Sequence, residues 1–377
     1  MSIVLRAILF VLGAAVALMV YGSAIRTVIL PRGVPAKLSR WVMLITRMAL
    51  GLRLGRRADY EKRDRVMALY GPLGLMNLLA AWLGLVMAGY TLMFWAIENG
   101  ALKDAFAISG SSLLTLGFAG AKNTAELALS FTEAATGLVL LALLITYLPS
   151  IYGAFSRREL EVAKLEVRAG APPTGLEMLE RAWRLQRLDR LTDVWIAWEA
   201  WFADVEESHT SLPVLVFFRS PQPDRSWVTA AGAVLDAASL LASTVDQPRN
   251  IESELCVRAG YVSLRKIAEF FQIPFNPNPH PKDPISIQRQ EFDDVYNRLG
   301  EAGLPLKDRE QAWEGFSGWR VNYDAVLLAL ATLTLAPYAP WSSDRSLKFR
   351  YPGAWSGINA WRRSRKPSTA IPAQGEK

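Results

Sequence analysis

The stretch Ser111-Ser112-Leu113-Leu114-Thr115-Leu116-Gly117-Phe118-Ala119-Gly120 holds the residues best placed to do chemistry. That chemistry is coordination of a dehydrated cation rather than bond making. Backbone carbonyls and a threonine hydroxyl, presented in successive rings, can replace an ion's hydration shell. Successive carbonyls face one axis only if the backbone alternates in hand. Left-handed dihedrals come freely to glycine and cost other residues roughly 1 kcal/mol or more. Gly117 meets this demand at one position, and Thr115 offers both carbonyl and hydroxyl at the inner end. The candidate ligands for K+ are therefore the carbonyls of Thr115, Leu116, Gly117 and Phe118 with the Thr115 hydroxyl, and Ala119 closes the segment. Ser111, Ser112 and Glu133 are candidates to brace it from behind, with Glu133 reaching Ser111 or Ser112. The competing reading is a tight glycine turn between two hydrophobic helices.

Other chemistries find few residues. Cys256 is the one cysteine, which excludes an internal disulfide framework. His209 and His280 lie far apart, and no Cys, His, Asp and Glu cluster has metal-ligand spacing. There is no Gly-x-Gly-x-x-Gly, no phosphate-binding glycine loop followed by lysine and no nucleophile elbow. The expectation is a protein that is not an enzyme and uses no cofactor besides a permeant ion.

A loop of this kind sits at membrane depth only when buried in protein and lining a watery pore. The flanking sequence must then supply membrane spans of about 20 apolar residues each. Three segments qualify. Ile3 to Leu30 carries no charge between Arg6 and Arg26, Val66 to Ile97 carries none at all, and Leu127 to Tyr152 carries only Glu133. A chain 51% hydrophobic and 20% charged fits a membrane part joined to one soluble domain. The net charge of +7 is also placed: between 31 and 65 stand Arg32, Lys37, Arg40, Arg47, Arg53, Arg56, Arg57, Lys62, Arg63 and Arg65 against Asp59, Glu61 and Asp64. A short basic loop between spans reads as cytoplasmic rather than as a nucleic-acid surface. The N-terminus is then outside, the segment 98 to 126 faces out, and everything after Ser156-Arg157-Arg158 is cytoplasmic in an inner-membrane, multi-pass protein. The first span also meets signal-peptide criteria, but cleavage would leave the basic loop outside. Within that loop, Trp41, Leu44, Ile45 and Met48 recur at helical spacing, either as an interfacial helix on the inner leaflet or as part of a cytoplasmic hairpin.

Residues 66 to 160 resemble the pore module of bacterial potassium channels of the two-span, one-pore-loop type. The resemblance implies an outer helix, a pore helix over Lys103 to Leu114, the filter Thr115-Leu116-Gly117-Phe118-Ala119, and an inner helix. Gly137, 22 residues after Thr115, falls near the family's inner-helix hinge, and Pro149 adds a second place for that helix to kink and gate. The sequence departs from the family at Ala119 and Gly120, where a second Gly and an Asp usually stand, at Phe118 for Tyr, and at Leu114 for Thr. These departures bear on strict potassium selectivity. One pore loop cannot encircle an ion, so the resemblance implies a homotetramer with cyclic symmetry. No span carries the regular arginines of a voltage sensor.

Beyond the spans, Arg157 to Arg168 reads as a continuation of the inner helix, stopped by Ala171-Pro172-Pro173-Thr174-Gly175. Leu176 to Glu207 reads as one amphipathic helix with Leu179, Trp183, Leu185, Leu188, Leu191, Trp195, Trp198 and Trp201 as core. Pro213 to Phe218 reads as a short buried strand or a helix end. Further helices are predicted at 226 to 244, 250 to 271, 286 to 302 and 322 to 337, with a proline-rich loop from Ile273 to Pro281. His280 and Cys256 read as ordinary structural or surface residues.

The expected class is a mostly α membrane protein: a first transmembrane helix at 1–30, a basic loop at 31–65, a potassium-channel-like pore module at 66–155, a helical cytoplasmic domain at 156–344 and a basic tail at 345–377. Its expected function is a tetrameric cation channel conducting potassium. Its partners would be membrane lipids, further copies of itself and an unknown cytoplasmic ligand or protein, with no nucleic acid. The alternatives are a non-selective cation channel, or a membrane-anchored signalling scaffold whose pore-like hairpin does not conduct.

Overall fold

The computed structural model describes residues 2–29, 37–52, 65–98 and 100–345. The tail from 346 onward and the basic-loop residues Arg32, Arg53, Arg56, Arg57, Lys62 and Arg63 lie outside the described residues. Among the described residues the chain is almost wholly helical, with a single isolated bridge between Val245 and Leu306 in place of any strand. The short strand considered at Pro213 to Phe218 is instead a 3-10 turn, Pro213–Phe217, led by a proline and burying Val214, Leu215 and Val216.

Three helices are long and apolar enough to cross a membrane. We label α1 Ile3–Ala24, continued by a π turn Ile25–Ile29; α2 Lys37–Leu52; α3 Tyr70–Ile97; α4 Leu102–Leu113; and α5 Thr124–Ala169. Burying apolar surface cannot drive helix association inside lipid, so small residues that permit close backbone approach decide the packing. α1 and α3 run antiparallel and cross at two glycines. A Cβ on Gly13 would lie 2.3 Å from the Gly89 carbonyl, and one on Gly89 would lie 2.8 Å from the Gly13 carbonyl. Farther along, the Trp82 indole donates to the Ser23 hydroxyl at 3.2 Å.

α2 lies against the start of α3, with Asn77 donating to Thr46 at 3.0 Å and Gly74 seated under Met43. Its opposite face exposes Trp41, Ile45, Met48 and Leu52. α5 runs 46 residues without interruption through Pro149, about 69 Å at the usual rise, so it spans the membrane layer and continues well past it. The proline removes one rung of the hydrogen-bond ladder and does not end the helix.

The last turns of α5 belong to a second core. Val162, Leu165 and Ala169 pack with α6 Gly175–Arg184, α7 Leu191–Ser211, α8 Trp227–Ser243, α9 Ile251–Phe270, α10 Arg289–Glu301, α11 Arg309–Arg320 and α12 Asp324–Thr334. Local capping sets these boundaries. Thr174, Ser226, Asn250 and Asp308 each accept a backbone N–H of the helix they precede, and Gln288 with Glu291 forms a capping box. α8 is the central helix, buried on nearly every side because its Ala-rich sequence lets neighbours approach closely.

The single helix expected over Leu176 to Glu207 is two. Gln186 takes a left-handed φ of 54°, and Arg187 N closes onto the Ala182 carbonyl at 2.8 Å, which ends α6. Of the residues expected as core, Trp195, Trp198 and Trp201 are buried and Trp183 is half-buried, but Leu185 is 63% exposed, because it sits at the break after α6. α11 falls in a stretch where no helix was predicted. The helix expected to reach 337 stops at Thr334, where Leu335 turns left-handed at a φ of 53°.

Candidate functional site

α4 is twelve residues long, about 18 Å, too short to cross the hydrocarbon layer. It is held between α3 and α5 by the buried side chains of Ala105, Ile108, Ser109, Ser111 and Leu113. α4 and α5 run side by side in the same sense. Ser109 meets Glu133 and Leu113 meets Gly137, so a step of four residues on one helix matches a step of four on the other. A Cβ on Gly137 would lie 2.4 Å from the Leu113 carbonyl. Gly137 is therefore the seat of the α4 C-terminus, a point of close packing.

The chain leaves α4 through a tight, donor-rich turn. Leu114 N donates to the Gly110 carbonyl at 3.2 Å, Thr115 N to Ser112 at 3.1 Å, and Leu116 N to Ser111 at 2.8 Å. Gly117 N also points at the Ser111 carbonyl, at 3.5 Å. Thr115 and Gly117 both have positive φ, 54° and 71°, while Leu116 between them does not. The backbone thus alternates in hand over three residues, and the alternation stops before Ala119. The Ser111 hydroxyl accepts from Ala119 N at 3.1 Å and donates to the Ala119 carbonyl at 3.3 Å, clamping the end of the segment to the helix it came from.

The N–H groups of Thr115, Leu116, Gly117 and Ala119 are thus bonded back to α4, and the acceptors are left. Among the described residues, no hydrogen bond is made to the carbonyls of Thr115, Leu116, Gly117 or Phe118. The same residues are exposed in the single chain. Four carbonyls in succession on this exposed segment are thus left without a protein donor.

Glu133 is fully buried, but its partner is Ser109 rather than Ser111 or Ser112. The Ser109 hydroxyl donates to Glu133 Oε1 at 2.5 Å and also lies 3.0 Å from the Met87 carbonyl. The helical turn explains the difference. Ser109 shares the α5-facing side with Leu113, whereas Ser111 points to the loop and Ser112 is only partly buried. Two further residues join the brace, neither singled out by sequence. Tyr21 of α1 donates to Thr136 at 2.8 Å, and Tyr90 of α3 donates to Thr132 at 3.3 Å. The signal was present in the polar string Thr132-Glu133-Thr136-Gly137 inside an apolar span. At the far end, Asn123 caps α5 and Glu126 accepts from Lys122 N at 2.7 Å, while the Lys122 ammonium pairs with Glu98.

The stretch of α5 nearer the C-terminal domain is tied down just as firmly. Arg157 is an exposed partner of Asp204, but Arg158 is entirely buried. Arg158 pairs with Glu159 at 2.8 Å and donates to the carbonyls of Leu215 at 2.8 Å and Phe218 at 2.7 Å. Its Nη1 also meets His209 Nε2 at 3.1 Å. Guanidinium can only donate, so that ring nitrogen must be an unprotonated acceptor. Burial, helped by the Arg158 charge, holds the His209 pKa well below its usual range. Phe217 stacks edge-on against Tyr70 at 5.1 Å, and a Cβ on Gly71 would lie 2.6 Å from the Phe218 ring. The short segment from Pro213 to Phe218 therefore touches both α3 and α5.

His280 is exposed with its N–H on Asp283, and Cys256 is buried, its thiol pKa pushed up by burial. No protein family, characterised protein or solved structure matches this chain. The functional reading accordingly stands on its own residues.

Proposed function

We propose that this chain is one subunit of a fourfold cation channel, expected to conduct potassium, whose filter is Thr115 to Ala119. The observation that carries the reading is the segment after α4, where backbone hand alternates at Thr115 and Gly117, the N–H groups of Thr115, Leu116, Gly117 and Ala119 are bonded back to α4, and four successive carbonyls are unspent. Four such segments around an axis would give stacked rings of carbonyls with a ring of Thr115 hydroxyls below. α4 would direct its C-terminal dipole at the ion path and favour a cation there. Most of the α5 surface is apolar and exposed in the single chain, including Phe131, Leu138, Ile145 and Tyr152, which lipid and neighbouring subunits would cover.

The proposed topology places the N-terminus outside and the C-terminal domain in the cytoplasm of an inner-membrane protein. It is supported by α2, which carries Arg40 and Arg47 and whose end packs through Leu50 beside Phe217 and Leu335 of the C-terminal domain. The basic segment and that domain thus share one end of the bundle, as the positive-inside rule requires.

The test is current through purified protein in a planar bilayer with potassium on one side and sodium on the other. Reversal near the potassium equilibrium potential supports a selective channel, and reversal near zero supports a weakly selective one. Failure to assemble as a tetramer, or absence of any cation flux from reconstituted tetramers at all voltages, would overturn the proposal.

A further inference from the structure

The membrane-distal end of α5 borders an open cleft of about 620 Å³, formed with α6, the turn after it and the start of α7. Sites for small organic ligands fall between about 300 and 1,000 Å³. Five cations line the cleft, Lys164, Arg168, Arg181, Arg187 and Arg190, against one acid, Asp193. Their existing partners differ. Lys164 is paired with Glu161 at 2.7 Å and Arg181 with Glu177 at 2.6 Å. Arg190 stands 3.7 Å from Asp193 and 3.8 Å from Asp189, beyond hydrogen-bonding distance. Among the described residues, no ion pair or hydrogen bond is made by the side chains of Arg168 or Arg187. Two unpaired guanidiniums and a loosely held third face one cleft whose own acid cannot neutralise them.

The floor is apolar. Met178, Ala182 and Leu191 are buried beneath it, and Val167 and Leu185 are left 75% and 63% exposed at its rim. We infer that this cleft binds an organic phosphate, a polyanion carrying a flat apolar body. Guanidinium forks grip phosphate oxygens bidentately, and the apolar rim covers the body. The anion is soluble rather than lipid-borne. Arg168 lies eleven residues beyond Arg157, about 16 Å along the helix, whereas headgroups extend only about 5 to 8 Å past the hydrocarbon. Lys164, Val167 and Arg168 come from the proposed pore-lining helix and the other cations from α6 and the turn that follows it. An occupant would therefore clamp the inner helix to the cytoplasmic domain. That consequence rests on the channel reading, while the binding does not.

The experiment uses the full chain in detergent or nanodiscs, titrated with ATP, pyrophosphate, adenosine and vesicles containing a phosphorylated inositol lipid. Hydrogen exchange is followed over 160–170 and 185–193. ATP should bind and protect both segments, pyrophosphate should bind more weakly, and adenosine should not bind. The Arg168→Gln, Arg187→Gln double variant should weaken ATP at least about tenfold, and Arg258→Gln on α9 should leave it unchanged. Absence of ATP binding at millimolar concentration, binding indifferent to the double variant, or preference for the lipid vesicles over ATP would each overturn the inference. Binding with protection in a protein that carries no current would uphold the cleft and remove the channel reading alone.

Discussion

Gly117 and Gly137 are both glycines of the proposed pore, and alanine at each should fail in opposite ways. Gly117 has a φ of 71°, and a Cβ there would meet no atom within 4 Å in the single chain. Alanine at 117 is thus penalised by backbone hand alone, about 1–2 kcal/mol per subunit. Four subunits closing one ring multiply this to about 4–8 kcal/mol, enough to flip the backbone and turn the carbonyls off the axis. Gly137 has ordinary helical dihedrals, but its Cβ would sit 2.4 Å from the Leu113 carbonyl. Alanine at 137 must push α4 away from α5, an overpacking cost of about 1–3 kcal/mol per subunit that falls on the fold.

The assay is potassium flux into proteoliposomes, read beside tetramer fraction by native mass spectrometry and thermal melting in detergent. Gly117→Ala should insert, assemble and melt near wild type while flux drops at least about a hundredfold, the equivalent of roughly 3 kcal/mol. Gly137→Ala should lower the melting temperature and the tetramer yield together. Wild-type flux and selectivity from Gly117→Ala would refute the assignment of the ion path to these carbonyls. Wild-type melting of Gly137→Ala would refute the close packing of the pore-helix end.

Three further outcomes follow from the same structure. Ser109→Ala strands Glu133 Oε1 in a buried site and should cost about 1–3 kcal/mol, seen as a lowered melting temperature, whereas Ser112→Ala should stay within about 0.5 kcal/mol. Arg320 is buried between Asp236 and Asp324 and also donates to the Trp341 carbonyl, so Arg320→Met leaves two buried carboxylates and should cost about 3–5 kcal/mol in chemical denaturation of the C-terminal domain. His209 is held neutral in the folded state and regains its ordinary pKa near 6.5 when unfolded. The unfolded chain therefore binds the extra proton: the stabilisation is complete above about pH 6.5 and falls by up to about 1.4 kcal/mol per pH unit below it, a slope that His209→Gln should remove from melting curves taken between pH 5 and 7.

What the sequence made legible was whatever depends on uninterrupted runs. The three spans are long, apolar and nearly free of charge, so length and composition suffice to find them. The continuation of α5 past Arg157 was readable because nothing between there and Gly170 breaks a helix. α11 was missed because its apolar residues, Trp313, Phe316 and Trp319, sit among polar ones and its start depends on a single cap, Asp308. The break after Arg184 was missed because its left-handed residue is Gln186, not a glycine. At the candidate site, residue types were readable but pairings were not. Glu133 stands out in sequence as the ionisable residue inside an apolar span, yet choosing Ser109 over Ser111 as its partner requires the rotational setting of α4 against α5. Arg158 reads in sequence as a surface charge beside Arg157, and only the turn at Pro213–Phe217, distant in sequence, buries it.

That turn bears on how the two halves of the molecule act on each other. A helix α5 that moved independently of the C-terminal domain would need a flexible joint between the two cores, and this chain has the reverse. α5 crosses from one core to the other as one continuous helix, and at the crossing Arg158 is gripped by the carbonyls of Leu215 and Phe218. The same turn presses Phe217 and Phe218 onto Tyr70 and Gly71 at the base of α3. Displacing α5 from α3 by even an ångström would either pull a buried guanidinium off its acceptors, at several kcal/mol, or carry the turn with it. The second is far cheaper, because the turn is short and continuous with the end of α7. On the channel reading, separation of the inner and outer helices at their cytoplasmic ends is therefore a movement of the whole helical domain. Whatever clamps α5 to α6 and α7, ten residues beyond Arg158 at Arg168, would act on the same coordinate.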